Sequence, residues 1–92
     1  MVNLEIGFAM IRVLFFAHLR DLAGLDQIEL PVDDMVYVKD LLGQFELHLP
    51  RELIDALSDE SAMVSVNHKY AEWGDLLPDG AEVGILPPVS GG

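Results

Sequence analysis

The chain has 92 residues, of which 51% are hydrophobic and 23% charged, and its 16 acidic and 5 basic side chains give a formal net charge of −11. That length suits one domain with a single small core and excludes a two-domain enzyme with a cleft between its domains. The charge argues against nucleic-acid phosphates and anionic membranes as partners. It favours a basic protein partner, although an acidic surface that serves only solubility explains it equally well. The absence of cysteine excludes disulfides, thiolate metal ligands and thiol nucleophiles.

The first predicted element is a strand over residues 10–16, a segment rich in β-branched and aromatic side chains. Period two places three of its apolar side chains on one face and two, Leu14 and Phe16, on the other. The strand is therefore either covered on both sides or presents Leu14 and Phe16 to a partner.

The next segment predicts a short helical turn and a second strand. Residues 18–22 can form one turn, which Gly24 would stop because glycine accepts a left-handed backbone. Residues 27–30 have the composition of a short strand, and Pro31 follows it. Strands 10–16 and 27–30 would then form a hairpin with a long connection.

The strongest periodic signal is that of an amphipathic helix. Five apolar residues recur at the spacing of one helical stripe, which Pro50 ends: Val38, Leu41, Leu42, Phe45 and Leu49. Asp33 and Asp34 precede this helix and are expected to cap it or to favour its positive end. A second helical turn is predicted over residues 51–57.

The remaining residues predict three more strands. A strand is expected over residues 62–67, a short edge strand over 70–73, and a last strand over 81–86 after a turn at Asp79 and Gly80. Trp73 is expected in the core or in edge packing. Two strands, a crossing helix and further strands indicate an α+β fold of the ubiquitin or β-grasp kind, with a mixed sheet packed on one main helix.

The tail after the last strand carries the most informative motif. Gly91 and Gly92 lack a Cβ and can pass through a tunnel too narrow for any side chain, which would bring a terminal carboxylate to a reacting centre. Pro87 and Pro88 stop the strand and favour an extended exit, so that residues 87–92 would span roughly 20 Å. A frayed terminus is the alternative interpretation.

Other candidate sites are weaker. The three histidines are scattered over separate segments and predict surface or interface positions and no metal site: His18, His48 and His68. The acidic residues at element ends suit capping and turns, and the chain has no phosphate-binding glycine motif. Ser90 lacks a base and is not expected to be a nucleophile. We therefore expect a chemical handle, no bound cofactor and no catalytic machinery.

Residues 7–17 form the longest apolar stretch, which Arg12 interrupts. The stretch has no basic leader, so it favours neither a signal peptide nor a membrane span. The sequence accordingly predicts a cytoplasmic protein.

Taken with the tail, several segments resemble the MoaD/ThiS family of ubiquitin-like sulfur carriers, and within it the small subunits of molybdopterin synthase. The resemblance runs over residues 10–92. It is carried by residues 10–17, 18–24, the pair Val66 and Asn67, residues 77–83 and above all the terminal Pro-Pro-Val-Ser-Gly-Gly of residues 87–92. Two features depart from the family pattern: residues 1–9 form an N-terminal extension, and Ile85 and Leu86 stand where some members carry aromatic residues.

The resemblance implies a function that resides in the C-terminal carboxylate of Gly92, with Gly91 beside it. An E1-like adenylating enzyme (MoeB-like) would consume ATP to form a covalent C-terminal adenylate, and a sulfur donor protein would convert it to a thiocarboxylate. The tail would then enter a large subunit (MoaE-like, in a heterotetramer), which holds the catalytic side chains, and donate sulfur to cyclic pyranopterin monophosphate in molybdenum cofactor biosynthesis. The residues expected to bind these partners are Leu14, Phe16, Leu86, Pro87, Pro88, Val89 and Ser90.

Several alternatives to this function stay open. Gly-Gly carriers also serve thiamine synthesis and tRNA thiolation, and related proteins modify lysines through their C-terminus. A plain interaction module with an inert tail is a further possibility. The resemblance divides the chain into the extension 1–9, a β-grasp domain over 10–86 and a flexible, extended tail over 87–92.

Overall fold

The computed structural model describes residues 10–32 and 35–88. The expectations for residues 1–9, for Asp33 and Asp34 and for residues 89–92 lie outside this range. The elements in chain order are β1 (Met10–Phe15), α1 (Ala17–Ala23), β2 (Gln27–Pro31), a 3-10 turn (Val38–Asp40), α2 (Leu41–His48), α3 (Arg51–Leu57), β3 (Met63–Val66), β4 (Lys69–Ala71) and β5 (Glu82–Leu86).

The five strands form one mixed sheet in the order β2-β1-β5-β3-β4. The central strands β1 and β5 are parallel, and every other neighbouring pair is antiparallel. The connection between the first hairpin and β3 carries α2 and α3. This is the β-grasp fold that the sequence predicts. Because β1 and β5 are parallel, their C-terminal ends lie next to each other at the same end of the sheet.

One face of the sheet packs against the helices and forms the core. Alternate residues of the two central strands point into it and are almost fully buried: Ile11, Val13 and Phe15 from β1 and Val83 and Ile85 from β5. The Phe15 ring meets the Phe45 ring of α2 edge to face, with centroids 5.5 Å apart. We call the face of the sheet that packs against the helices the covered face.

Three short helices cover that face. Helix α1 ends at Gly24, whose left-handed backbone (φ 78°) lets its N–H donate to the Arg20 carbonyl, as the sequence predicts. Pro50 ends α2 and precedes α3, because its ring fixes φ and it has no N–H to continue the helix. The helical layer is thus divided among α1, α2 and α3, with α2 the longest.

The main helix begins differently from expectation. The apolar stripe starts at Val38, but residues Val38–Asp40 form a 3-10 turn and α2 starts only at Leu41. The Asp40 carboxylate accepts hydrogen bonds from the backbone N–H groups of Val36 and Tyr37, both at 2.8 Å. These bonds hold the pKa of Asp40 below its ordinary value of 3.8, and the Tyr37 N–H is the larger cause. In the described part of the chain, Asp40 is therefore the carboxylate that stabilises this helix start.

The last three strands lie close to their predicted positions. Strand β4 ends at Ala71, so Trp73 follows the strand instead of belonging to it. The Trp73 side chain is buried, and its indole N–H donates to the Ala62 carbonyl at 2.9 Å. Within residues 10–32 and 35–88, no helix has the length and apolar composition that crossing a bilayer requires.

Candidate functional site

The face of the sheet opposite the helices is the candidate site. Strand alternation places Leu14 of β1, Gly84 and Leu86 of β5, and Ser65 of β3 on this side, together with Phe16 just beyond β1. We call it the open face. Leu14 and Leu86 are half-buried, and 43% of Phe16 is exposed. The structure thus places the three residues predicted from the body of the domain on one surface, and that surface is not the core.

The backbone holds Phe16 rigidly at this surface. Its N–H donates to the Ile85 carbonyl at 3.1 Å, and its carbonyl accepts the N–H groups of Leu19 and Arg20 at the start of α1. Ala17, the next residue, has a φ of 54°, so the chain turns sharply between β1 and α1. The phenyl ring therefore extends from a fixed point over the end of the sheet, directly beside β5.

Gly84 makes room for that ring. A Cβ at this position would lie 2.7 Å from Ser65 Oγ and 3.2 Å from Cε2 of Phe16, both closer than ordinary contact. The absence of a side chain lets Phe16 approach the backbone of β5. Leu86 Cδ1 lies 3.7 Å from the same point, so Phe16 and Leu86 flank Gly84 together.

The open face contains a shallow groove of about 270 Å³, which is lined by Phe16, Ser65, His68, Tyr70 and Leu86. We call it the apolar groove. A smaller depression of about 60 Å³ adjoins it and includes Leu14, Glu82 and Gly84. Tyr70 is 74% exposed, and a groove lined by an exposed aromatic and apolar side chains is typical of a protein-binding surface.

Sequence reasoning did not place His68 and Tyr70 at this site. Tyr70 was expected only as part of an edge strand and His68 only as a surface or interface histidine. Their place follows from the β3–β4 register, in which Tyr70 pairs with Ser65 and so lies on the open face. The turn residues Asn67 and His68, between two strand patterns, were the local signal for that hairpin.

The tail leaves the sheet at one end of the groove. Leu86 is the last residue of β5 and pairs with Met63 on β3, so the exit begins at a hydrogen-bonded strand. Pro87 is half-buried and Pro88 exposed, and neither has an N–H to extend the ladder. The predicted site residues Val89, Ser90, Gly91 and Gly92 lie outside the described residues.

The other polar candidates have structural roles or stand apart. Asp59 accepts hydrogen bonds from the hydroxyl and the N–H of Ser61, which lower its pKa, the hydroxyl being the larger cause. It belongs to the turn after α3. His18 and His48 lie on different helices, and no group of three or more metal-ligating side chains occurs among the described residues.

Comparison with known proteins gives consistent matches. The ThiS family model matches residues 13–92. The molybdopterin synthase sulfur carrier subunit of Escherichia coli (strain K12) is 37% identical over 83 residues, which cover 90% of this chain and 100% of that protein.

Solved structures share the fold. The putative molybdopterin converting factor subunit 1 from Pyrococcus furiosus superposes with a TM-score of 0.69 at 30% identity, covering 88% of this chain and 99% of that one. The small archaeal modifier protein 1 from Methanosarcina acetivorans also gives 0.69 at 30%, covering 92% and 98%. A complex of subunits 1 and 2 of molybdopterin-converting factor from Helicobacter pylori gives 0.59 at 21%, covering 90% and 99%, a likeness of fold.

Proposed function

Because the chain belongs to the ThiS family, we propose that it is the sulfur-carrier subunit of a molybdopterin synthase and that the carboxylate of Gly92 carries the sulfur. The observation that carries the proposal is the extent of the match: the family model reaches residue 92, and the Escherichia coli sulfur carrier subunit is covered from end to end. The matched range, residues 13–92, includes both the domain from within β1 onward and the Gly-Gly tail.

The chemistry suits a carboxylate that a partner must activate. A carboxylate is a poor electrophile at neutral pH, so an E1-like enzyme would transfer AMP from ATP to a Gly92 oxygen and release pyrophosphate. Hydrosulfide supplied by a donor protein would then attack the acyl carbon and displace AMP, and loss of its proton leaves a thiocarboxylate. The chain itself supplies no bound cofactor to these steps, and ATP belongs to the activating enzyme. We place the reaction in the cytoplasm, where ATP is at hand.

Sulfur transfer would occur in the large subunit. The thiocarboxylate would enter that subunit's active site, where its side chains direct the sulfur onto a carbon of cyclic pyranopterin monophosphate in place of an oxygen substituent. Water would then hydrolyse the acyl–sulfur bond, which leaves the sulfur on the pterin and restores the Gly92 carboxylate. The tail starts from a hydrogen-bonded strand, which gives it a fixed origin beside the apolar groove. We propose that Leu14, Phe16 and Leu86 dock on both the large subunit and the activating enzyme, which therefore bind in turn and not together.

The first experiment is intact-mass spectrometry of the chain, captured from its host through an N-terminal tag under denaturing conditions. We expect a fraction of the wild-type chain to carry sulfur in place of one terminal oxygen. A chain lacking Gly92, and a chain with one alanine added after Gly92, should lose this species entirely. A sulfur-bearing species that persists in both variants would contradict the assignment of the site.

The likeness to small archaeal modifier protein 1 supports a second candidate, conjugation of Gly92 to lysines of other proteins. In the same experiment that function would produce a ladder of isopeptide-linked conjugates in place of, or beside, the thiocarboxylate. Both products require Gly92, so the two variants above abolish either one, and the product's mass distinguishes them.

A further inference from the structure

A row of charged side chains crosses the open face and borders its apolar part. Arg12 pairs in register with Glu29 on β2 and with Glu82 on β5, so the three lie side by side on one face. Arg12 Nε lies 3.7 Å from Glu29 Oε2, and at the other end of the row His68 Nε2 lies 3.4 Å from Glu82 Oε1. Of the two carboxylates in this row, Glu82 borders the depression that contains Leu14 and Phe16, and Glu29 does not.

The geometry around Glu82 is fixed by the β3–β4 hairpin. The N–H of Asn67 donates to the Glu82 carbonyl at 2.8 Å, and the Glu82 N–H donates to Asn67 Oδ1 at 3.0 Å. Asn67 and His68 both have positive φ values, 52° and 71°, a backbone that residues other than glycine rarely adopt. This tight turn and its reciprocal hydrogen bonds hold the tip of the hairpin against β5 at Glu82.

Docking on the open face would remove water from Glu82. Its side chain is already only 35% exposed, and it borders the same depression as Leu14 and Phe16. A carboxylate that loses its water is strongly disfavoured unless a cation comes with it. Within the described residues its one ion-pair partner is His68, which is 79% exposed and is charged only when protonated. Arg12 lies nearest to a different carboxylate, that of Glu29.

We propose that Glu82 is the contact by which the open face selects a partner with a lysine or arginine beside an apolar segment. The cation pairs with the Glu82 carboxylate and displaces the His68 side chain, while the apolar segment fills the groove next to Tyr70 and Leu86. The net charge of −11 on this chain favours such a basic partner over an acidic or neutral one. This inference rests on the proposed function, in which the large subunit is the partner.

The test uses two matched variants of the full chain, Glu82→Gln and Glu29→Gln. Each removes one negative charge from the open face and keeps the shape of the side chain, but only Glu82 borders the apolar depression. The dissociation constant for the large subunit is measured by titration calorimetry at low and high salt. We expect Glu82→Gln to weaken binding about tenfold or more at both salt concentrations, because a buried pair is poorly screened, and Glu29→Gln to change it by no more than about twofold.

A third variant, His68→Gln, tests whether the cation that pairs with Glu82 in the complex comes from the partner or from His68. If the partner supplies the charge, His68→Gln loses much less affinity than Glu82→Gln, because the partner's cation displaces the His68 side chain in any case. A loss as large as that of Glu82→Gln would assign the charge to His68 and overturn the proposal. Equal effects of Glu82→Gln and Glu29→Gln, or no effect of either, would also overturn it. Thermal unfolding of each variant checks that the hairpin stays folded.

Failure of the proposed function has a different signature. If the wild-type chain does not bind the large subunit and carries no thiocarboxylate, both the function and this inference are wrong. If wild type binds and carries sulfur while Glu82→Gln binds equally well, only the contact at Glu82 is wrong.

Discussion

The two faces of the sheet are built from alternate residues of the same strands, yet they differ in what covers them. On the covered face, Ile85 is fully buried beneath the helices, whereas its neighbour Leu86 is half-buried on the open face beside the apolar groove. Phe15 and Phe16 make the same contrast at the end of β1, where Phe15 is 2% and Phe16 43% exposed.

The difference separates stability from binding. Each large apolar side chain on the covered face contributes roughly 1.5–3 kcal/mol when the chain folds, because the helices exclude water from it. Leu86 and Phe16 obtain only part of that contribution in the free chain. The rest becomes available when a partner covers the open face, so these residues should matter more for complex formation than for folding.

The strongest test of this separation is one substitution on each face of β5. Ile85→Asp would bury an unpaired carboxylate, and we expect it to lower the free energy of unfolding by several kcal/mol. Small domains have a free energy of unfolding of about 5–15 kcal/mol, so this loss is large enough to unfold much of the protein. Leu86→Asp should stay within about 1 kcal/mol of wild type, because its side chain reaches solvent, and yet lose binding to both the large subunit and the activating enzyme.

Urea unfolding of the two variants, and titrations of each variant with the large subunit and with the activating enzyme, check this contrast. Leu76→Asp is the matched control, because Leu76 is an exposed leucine that pairs with Tyr37, away from the open face. It should be stable and should bind normally. Unchanged binding of Leu86→Asp to both partners would show that the open face is not where they dock.

Much of the fold was predictable because its signals are local. The stripe that begins at Val38, the stop at Gly24 and the turn at Gly80, whose φ is 73°, each follow from spacing or from backbone freedom that neighbouring residues reveal. The Gly-Gly tail was equally readable, because it is a contiguous motif at one end of the chain.

The candidate site was less predictable, for physical reasons that differ from residue to residue. Strand β1 is apolar on both faces, so its sequence cannot tell whether Leu14 and Phe16 are core or surface; that depends on where the helices pack. His68 and Tyr70 reach the groove only through the register of β3 with β4. Asp40 stabilises the helix start by accepting hydrogen bonds from backbone N–H groups three and four residues earlier. The sequence predicted this role for Asp33 and Asp34, which precede the helix.

A smaller effect is expected within the open face itself, at Gly84. Gly84→Ala would place a Cβ against Ser65 Oγ and the Phe16 ring, and we expect a loss of about 1 kcal/mol in stability as both move aside. Adding Ser65→Ala removes the closer of the two contacts and should restore part of that stability. Binding to the large subunit should fall in the single variant, because the Phe16 ring is displaced. If Gly84→Ala is as stable as wild type and binds equally well, the backbone of Gly84 does not position Phe16.

The smallest expected effect concerns the helices that cover the sheet, and it is a dependence of protein stability on pH. Hydrogen bonds from Tyr37 and Val36 lower the pKa of Asp40, so the ionised carboxylate stabilises the fold above its unfolded pKa near 3.8. That stabilisation is lost as the pH falls through the lower pKa of the folded state. Asp40→Asn should therefore have a lower Tm than wild type at pH 7, and the difference should narrow as the pH drops below about 3.8. Because Asp40 stabilises the start of α2 and does not touch the open face, affinity for the large subunit at pH 7 should be unchanged. A Tm difference that is constant from pH 7 to pH 3 would mean that the Asp40 charge contributes nothing to the helix that covers the sheet.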